Sequence, residues 1–74
     1  MANADLIARI KSGESSRYLD ALIECALSDD EIVPDGMDGG VMGDGFLRFD
    51  ARPYTTCNDD FRHLAVNRLT KTAQ

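Results

Sequence analysis

The stretch SSRYLDALIECAL, residues 15–27, decides the fold because its apolar side chains repeat with the period of an α-helix. Five apolar residues lie at positions i, i+3, i+4, i+7 and i+8 of one helical face: Leu19, Leu22, Ile23, Ala26 and Leu27. Ser15 or Ser16 supplies the N-cap, since a serine hydroxyl accepts a hydrogen bond from a first-turn backbone N–H. The pattern predicts an amphipathic helix with Asp20 and Glu24, four residues apart, on its polar face.

A shorter helix is predicted ahead of it, from about residue 4 to residue 12. Asn3 is a suitable N-cap for this helix. The apolar residues at helical spacing are Leu6, Ile7 and Ile10. Gly13 ends the helix, because glycine readily adopts the left-handed conformation that terminates many helices.

A third helix is predicted from about residue 57 to residue 69. Thr56 and Asp59 have the spacing of a capping box, with Thr56 as the N-cap and Asp59 reaching back to it. The predicted buried stripe is Phe61, Leu64, Ala65 and Leu69. The residues predicted nearer to solvent are Arg62, His63, Asn67 and Arg68.

The segment between the second and third helices is rich in Asp, Gly and Pro, which interrupt any helical period. Ile32 and Val33 predict a short edge strand. Gly-Asp-Gly at residues 43–45 lies between Val41-Met42 and residues 46–49, and this arrangement predicts a hairpin turn. Strand alternation then places Phe46, Arg48 and Asp50 on one side and Leu47 and Phe49 on the other.

These elements predict a single α+β domain over residues 1–74, with a short antiparallel sheet at about residues 31–51 and the C-terminal helix packed across it. A chain of this size buries about 60% of its unfolded surface, which provides one small core. The candidate core residues are Leu6, Ile7, Ile10, Leu19, Leu22, Ile23, Leu27, Phe46, Leu47, Phe49, Phe61, Leu64 and Leu69. They do not suffice for an enclosed catalytic chamber beside the core, so a protein that is not an enzyme is predicted.

Charge is segregated along the chain. Between Tyr18 and Leu47 there are eight acids and no Lys or Arg. The acids are Asp20, Glu24, Asp29, Asp30, Glu31, Asp35, Asp38 and Asp44. The last fourteen residues carry Arg62, Arg68 and Lys71 and no acid. The net charge of −5 disfavours direct binding to nucleic acid or anionic lipid, because Lys and Arg carry such binding.

Neither a secretion signal nor an apolar run of the roughly 20 residues that span a bilayer is evident, so a cytoplasmic protein is predicted. Cys25 and Cys57 are 32 positions apart, without a CxxC pair or a histidine at ligand spacing. This usage predicts two reduced thiols rather than a zinc site or a disulfide scaffold. No cofactor is indicated.

Two phrases resemble a known family: LIARIKSGESSRYLDALIECAL at residues 6–27 and RPYTTCNDDFRHL at residues 52–64. They are similar to phage ABA sandwich domains, in which a helix containing Leu-Asp-Ala is followed by a Tyr-Thr-x-x-x-Asp segment that opens another helix. In that family strands follow the Tyr-Thr helix, whereas here the predicted strands precede it. The resemblance implies a phage or prophage origin and no particular activity. Small acidic phage proteins include inhibitors of host defence, such as anti-CRISPR proteins, some of which imitate nucleic acid.

The sequence offers three candidate chemical sites. Asp35, Asp38 and Asp44 lie in a Gly-rich segment, but their spacing matches no calcium-binding loop, so solvated turns are favoured over a calcium module. Cys57 and His63 are six positions apart and therefore well separated around a helix, which disfavours a nucleophile pair. Asp59 and Asp60 are better explained by the helix dipole than by catalysis.

The leading hypothesis is therefore a phage or mobile-element protein that inhibits a host complex, such as a CRISPR effector, by presenting carboxylates to its basic nucleic-acid site. The predicted contact residues are Asp20, Glu24, Asp29, Asp30, Glu31, Asp35 and Asp38. Three of these acids follow the second helix, where they oppose its dipole, which helix stability alone would not favour. Four apolar residues lie beside the acids: Met37, Val41, Met42 and Phe46. They are expected either to contact a partner or to close the core. The alternatives are acids that serve solubility and a phage assembly accessory that self-associates.

Overall fold

The computed structural model describes residues 3–28, 31–43 and 47–72. The elements, in chain order, are helices α1 (Asn3–Lys11) and α2 (Arg17–Leu27), strands β1 (Val33–Asp35), β2 (Gly40–Met42) and β3 (Arg48–Asp50), and helix α3 (Asp59–Lys71). The predicted α+β fold, with two helices, an antiparallel sheet and a C-terminal helix, is confirmed. The prediction that the C-terminal helix packs across the sheet is wrong: α3 packs against α1 and α2, and α2 is the helix that packs against β1 and β2. Within the described residues no helix is sufficiently long and apolar to cross a membrane.

The three strands form one antiparallel sheet in the order β1-β2-β3. Val41 pairs with Pro34 on one side and with Phe49 on the other, which fixes the register of all three strands. The predicted edge strand and the predicted pairing of the hairpin strands are both present. The turn itself and the orientation predicted for Phe46 fall on residues 44–46, outside the described part of the chain.

The larger core lies between the three helices. Its buried residues are Leu6, Ile10, Leu19, Ile23, Tyr54, Ala65 and Leu69. Tyr54, which is not among the candidate core residues predicted from the sequence, is one of the largest fully buried side chains. Because an aromatic ring contributes more apolar area than any aliphatic side chain, Tyr54 fills the space that short helices leave open in so small a domain.

A smaller core lies between α2 and the sheet. Ala21, Val41 and Ala51 are buried there, with Cys25 and Ile32 packed against them. Helix α2 therefore packs against the other helices through its Leu and Ile stripe and against the sheet through small side chains. Burial on two sides leaves α2 only a narrow exposed strip.

The helix ends differ in part from the predicted ones. Ser16 caps α2 as expected and accepts a 3.0 Å hydrogen bond from the Leu19 N–H. Helix α3 is capped by Asn58, which accepts from the Phe61 N–H at 3.1 Å, so the prediction of Thr56 as its N-cap is wrong. Asn3 is helical and its amide donates to the Leu69 carbonyl at 3.1 Å, so it joins α1 to α3 instead of capping α1.

Three residues assigned to the core are exposed. Leu47 is 73% exposed and Phe49 is 47% exposed, because β3 is an edge strand that packs mainly against β2 and extends beyond the cover of α2. Leu64 is also exposed, because its side chain lies on the side of α3 away from the core. Val66 packs against the core instead. The buried stripe of α3 is consequently narrower than its sequence predicted.

Candidate protein-binding surface

The sheet has one covered face and one open face. Val41 is buried against α2, so the strand positions that alternate with it lie on the opposite side, which we call the outer face. The pairing of the strands places six residues on the outer face: Val33, Asp35, Gly40, Met42, Arg48 and Asp50. Among the described elements, the helix in contact with the sheet, α2, lies on the other side.

Arg48 lies across the centre of the outer face. Its guanidinium donates to Asp35 and to Asp38, each at 2.6 Å, and lies 3.7 Å from Asp50. Gly40 makes this position accessible, because a Cβ there would collide with the guanidinium group. One arginine thus connects β3 to β1 across the middle strand, and it holds two carboxylates in fixed positions.

The charges of this network shift the pKa of its members. Hydrogen bonding to Asp35 and the charge of Asp38 raise the pKa of Arg48 above its ordinary value. The backbone N–H of Gly40, followed by the charge of Arg48, lowers the pKa of Asp38. Both shifts favour the ionised forms, so the cluster stays charged at neutral pH.

The outer face and its rim carry more acid than base. Asp35, Asp38 and Asp50 surround Arg48, and Glu31 is exposed just before β1. Four acids against one arginine leave a formal charge of −3. The side chains of Asp38 and Asp50 are more than two-thirds exposed, so they are open to a cation from another molecule.

Apolar side chains are exposed next to these charges. Val33 on β1 is 60% exposed, and Met37, in the turn between β1 and β2, is 74% exposed. Met42 on the same face is half-buried. Val41, for which the sequence left partner binding and core packing open, is part of the core. The outer face thus carries exposed apolar groups as well as acids.

Asp20 does not belong to this surface. It is buried, and the prediction that it lies on an exposed polar face of α2 is wrong. Its carboxylate accepts hydrogen bonds from the Thr55 N–H and hydroxyl, from the Thr56 hydroxyl and from Arg17. The reason is the second buried side of α2, which brings Asp20 against the segment that leads into α3.

The other predicted contact residues are distributed unevenly. Glu24 is largely buried at the side chain and accepts hydrogen bonds from the backbone N–H and the guanidinium of Arg52, so it too is not on a free face. Asp35 and Asp38 both bond to Arg48, and Glu31 is exposed two residues before β1. Asp29 and Asp30 lie outside the described residues.

Two residues of the surface, Arg48 and Asp50, are not among the predicted contact residues. Arg48 and Asp50 were placed correctly on one side of their strand, but their association with Asp35 depends on the pairing of three strands. The alternation of Arg48 with Phe49 was the available signal, since it predicted a charged face. It did not reveal that a glycine on the middle strand lets the arginine reach across.

Two shallow grooves lie elsewhere, near the start of α3. One encloses about 390 Å³ and is lined in part by Lys11, Asp59 and His63. The other is lined in part by Cys57 and Asn58. Both are bordered by Arg62, whose guanidinium donates to backbone carbonyls of Ile10, Glu14 and Thr55 and is therefore engaged in joining α3 to α1.

No arrangement in the described ranges 3–28, 31–43 and 47–72 brings together three or more His, Cys, Asp or Glu side chains suited to hold a metal ion. Asp35 and Asp38, considered above as calcium ligands, are bonded to Arg48. A guanidinium occupies the position that a cation would take between them.

Comparison with known proteins gave no match: no family model, no curated protein and no solved structure is significantly similar to the chain. The outer face of the sheet is therefore the feature from which a function is inferred.

Proposed function

We propose that this is a non-enzymatic protein that binds a basic surface of another protein through the outer face of its sheet. The observation that carries the proposal is the exposed group of Glu31, Asp35, Asp38 and Asp50, which borders the exposed apolar side chains of Val33 and Met37. Acids of this kind accelerate the encounter with a basic partner, and the apolar contacts prolong the complex.

Preorganisation supports this role. Arg48 bonds to Asp35 and Asp38, so these carboxylates lose little conformational freedom when they meet a partner. Fixed carboxylates also resemble the phosphates of a nucleic-acid backbone more closely than mobile ones do. The partner class that fits best is consequently a protein whose basic groove normally holds nucleic acid.

We propose further that the protein is a phage or mobile-element inhibitor that acts in the host cytoplasm. A CRISPR effector is the first partner to examine. The contact residues in the described part of the chain are Glu31, Asp35 and Asp38, with Asp50 added. Asp29 and Asp30, which precede Glu31 in the sequence, remain in the proposed contact. Asp20 and Glu24 are removed from it, because Asp20 is fully buried and the side chain of Glu24 is only 12% exposed.

Affinity capture from a bacterial lysate at low and high salt tests the proposal, with competition by duplex DNA. A nucleic-acid-binding protein retained at low salt, released at high salt and displaced by DNA is the expected result, because DNA would compete for the same basic groove. Retention that is indifferent to salt and DNA would contradict the proposal, as would the absence of any retained nucleic-acid-binding protein.

The matched variants locate the surface. Glu31→Lys with Asp38→Lys changes the net charge by +4 and is expected to abolish retention. Asp5→Lys with Asp60→Lys gives the same change at exposed positions on the helices and is expected to preserve most of it. Equal loss in both double variants would show that net charge matters and the outer face does not. Thermal unfolding of each variant confirms that the fold is retained.

An assembly accessory that self-associates is the second candidate function. The exposed apolar side chains of Leu47 and Phe49 on the edge strand favour it. A measurement of whether the isolated chain self-associates tests this function.

A further inference from the structure

The backbone of β3 offers unused hydrogen-bonding groups. The Gly43 N–H donates to the Leu47 carbonyl at 3.2 Å, and the Ala51 N–H donates to the Gly39 carbonyl at 2.8 Å. In an antiparallel pair such bonded positions recur at every second residue, so Phe49 bonds to Val41 between them. The N–H and C=O groups of Arg48 and Asp50 therefore point away from β2, toward the free edge of the sheet.

Nothing in the described ranges covers these groups. None of the hydrogen bonds among residues 3–28, 31–43 and 47–72 uses the backbone of Arg48 or Asp50. All three residues of β3 are exposed, and the strand packs mainly against β2. Unpaired backbone groups at a sheet edge are a template for another strand. Phe49 within β3 and Leu47 just before it add exposed apolar side chains to this edge.

The other edge of the sheet is protected. The middle residue of β1 is Pro34, which pairs with Val41. Because Val41 directs its backbone groups toward Phe49, the backbone of Pro34 faces the free edge of β1, where proline has no N–H to donate. Helix α2 also packs against β1. The two edges thus differ, and only β3 presents the complete donors and acceptors of a strand.

We propose that a second copy of this chain pairs with β3, antiparallel and about a two-fold axis at Phe49, to form a continuous six-stranded sheet. Four backbone hydrogen bonds would join Arg48 of one subunit to Asp50 of the partner subunit and the reverse. The sequence Arg-Phe-Asp is self-complementary in this register, since each arginine lies opposite an aspartate and the two phenylalanines lie opposite each other. An interface of this kind closes on itself and yields a dimer.

Charge selects this register over its neighbours. The outward-facing backbone groups allow shifts of two residues along the strand. A shift in one direction places Arg48 opposite the partner subunit's Arg48, and a shift in the other places Asp50 opposite the partner subunit's Asp50. Like charges directly opposite each other destabilise a strand pair, whereas opposite charges stabilise it. The register centred on Phe49 is the one that avoids both repulsions.

Sedimentation equilibrium of the full chain over a wide concentration range is the first test. The wild-type chain is expected to dimerise reversibly. Asp50→Arg places arginine opposite arginine twice in each dimer, so its dissociation constant is expected to rise at least about tenfold. This substitution is compatible with the fold, because Asp50 is 78% exposed at the side chain and is held only by the 3.7 Å contact with Arg48. A monomer at all concentrations, or an unchanged dimer in Asp50→Arg, would overturn the proposal.

Cysteine cross-linking tests the register independently. In a Cys57→Ser background, Phe49→Cys places two thiols opposite each other on the axis, within reach of a disulfide. Leu47→Cys places them four residues apart along the strands, about 13 Å, which a disulfide does not span. Mild oxidation is expected to join Phe49→Cys into covalent dimers and to leave Leu47→Cys and the Cys57→Ser parent without a covalent cross-link on a non-reducing denaturing gel. Equal yields in the two cysteine variants would reject the register. Because these experiments use no partner protein, their outcome is independent of the proposed binding function.

Discussion

Asp20 on α2 accepts a 2.7 Å hydrogen bond from the Thr55 backbone N–H and a 2.6 Å bond from the Thr55 hydroxyl, across 35 positions of sequence. The same carboxylate accepts from the Thr56 hydroxyl at 2.7 Å and from Arg17 at 2.8 Å. A buried carboxylate with four donors is stabilising only as a complete network, because each partner left alone would carry an unsatisfied polar group. Asp20 therefore holds the segment before α3 in place, whereas Asp38 and Asp50 on and beside the outer face are exposed.

Asp20→Ala is expected to destabilise the protein by about 3 kcal/mol, since it removes a buried charge and leaves its donors unsatisfied. The whole free energy of unfolding of a domain this size is roughly 4–11 kcal/mol, so the loss is large. Urea denaturation followed by circular dichroism measures it. Asp5→Ala, at an exposed position of α1, is the control and should change the stability by less than about 0.5 kcal/mol. Similar midpoints for the two variants would show that the Asp20 network contributes little.

The helices and the order of the elements followed from periodicity, but the second packing side of α2 did not. The apolar stripe through Leu19 and Ile23 identifies one side, whereas the side toward the sheet is made of Ala21 and Cys25, which are too small to mark a helical face. The sequence pattern therefore predicted that Asp20 faces solvent. A buried acid of this kind becomes predictable only when its donors, here two threonines far along the chain, are known to be near.

Only part of the candidate surface could be predicted from the sequence. Asp35 and Asp38 are close in sequence, and the turn after β1 brings both to Arg48. Glu31 lies before the other end of β1. The contribution of Arg48 depends on two strand pairings and on the absence of a side chain at Gly40. Single-strand alternation contains neither relationship, so the neutralising arginine could not be assigned to its acids in advance.

Gly39 and Gly40 are adjacent, yet we expect substitution by alanine to have different effects. Gly39 has a φ of +93°, and a Cβ there would lie 2.8 Å from the Arg17 guanidinium carbon. Gly39→Ala should therefore cost about 1–2 kcal/mol in backbone strain and disturb the bond between Arg17 and Asp20. Gly40→Ala displaces the Arg48 guanidinium, at the end of a long side chain, and weakens its ion pairs with Asp35 and Asp38 on the outer face. Because partly exposed ion pairs contribute little, the cost should stay below about 1 kcal/mol. Thermal unfolding of the two variants compares them, and equal losses would contradict this assignment.

The pH dependence of Asp38 follows from its environment. The Gly40 N–H and the Arg48 charge lower the pKa of Asp38 in the folded protein below the ordinary value of about 3.9. A carboxyl whose pKa is lower in the folded than in the unfolded state stabilises the fold above the unfolded pKa, and this contribution is lost as pH falls through the folded pKa. Carbon-detected NMR titration should show Asp38 titrating below pH 3.9. In Arg48→Met its pKa should rise, and an unchanged titration curve would exclude a role for Arg48.

The two thiols should differ in reactivity. Cys57 is exposed, whereas Cys25 is half-buried between α2 and the sheet, where burial and then the charge of Glu24 raise its pKa. Because the thiolate is the reactive species, alkylation of the folded protein at pH 8 should modify Cys57 at least about tenfold faster than Cys25. Mass spectrometry of the peptides gives both rates. Denaturant should equalise them, and equal rates in the folded state would contradict the described packing of Cys25.

Arg62 connects α3 to the end of α1 through backbone carbonyls. Its guanidinium donates to the Glu14 carbonyl at 2.9 Å and also to the carbonyl of Ile10, near the C-terminal end of α1, which accepts from the Gly13 N–H as well. A positive charge there also complements the helix dipole. Arg62→Met should therefore cost about 1–2 kcal/mol, since it removes the guanidinium donor of the Glu14 carbonyl and the bond to Ile10 at a half-buried junction.

Arg68→Met is the matched control, because Arg68 lies on the same helix but at an exposed position. It should cost less than about 0.5 kcal/mol. Arg62→Lys tests the geometry, since a single ammonium group cannot reproduce the several directed donors of a guanidinium, and an intermediate loss is expected. Urea denaturation ranks the three variants, with Arg62→Met the least stable. If Arg62→Lys is as stable as wild type, a positive charge alone suffices at the α1–α3 junction, and the directed bonds to Ile10 and Glu14 are dispensable.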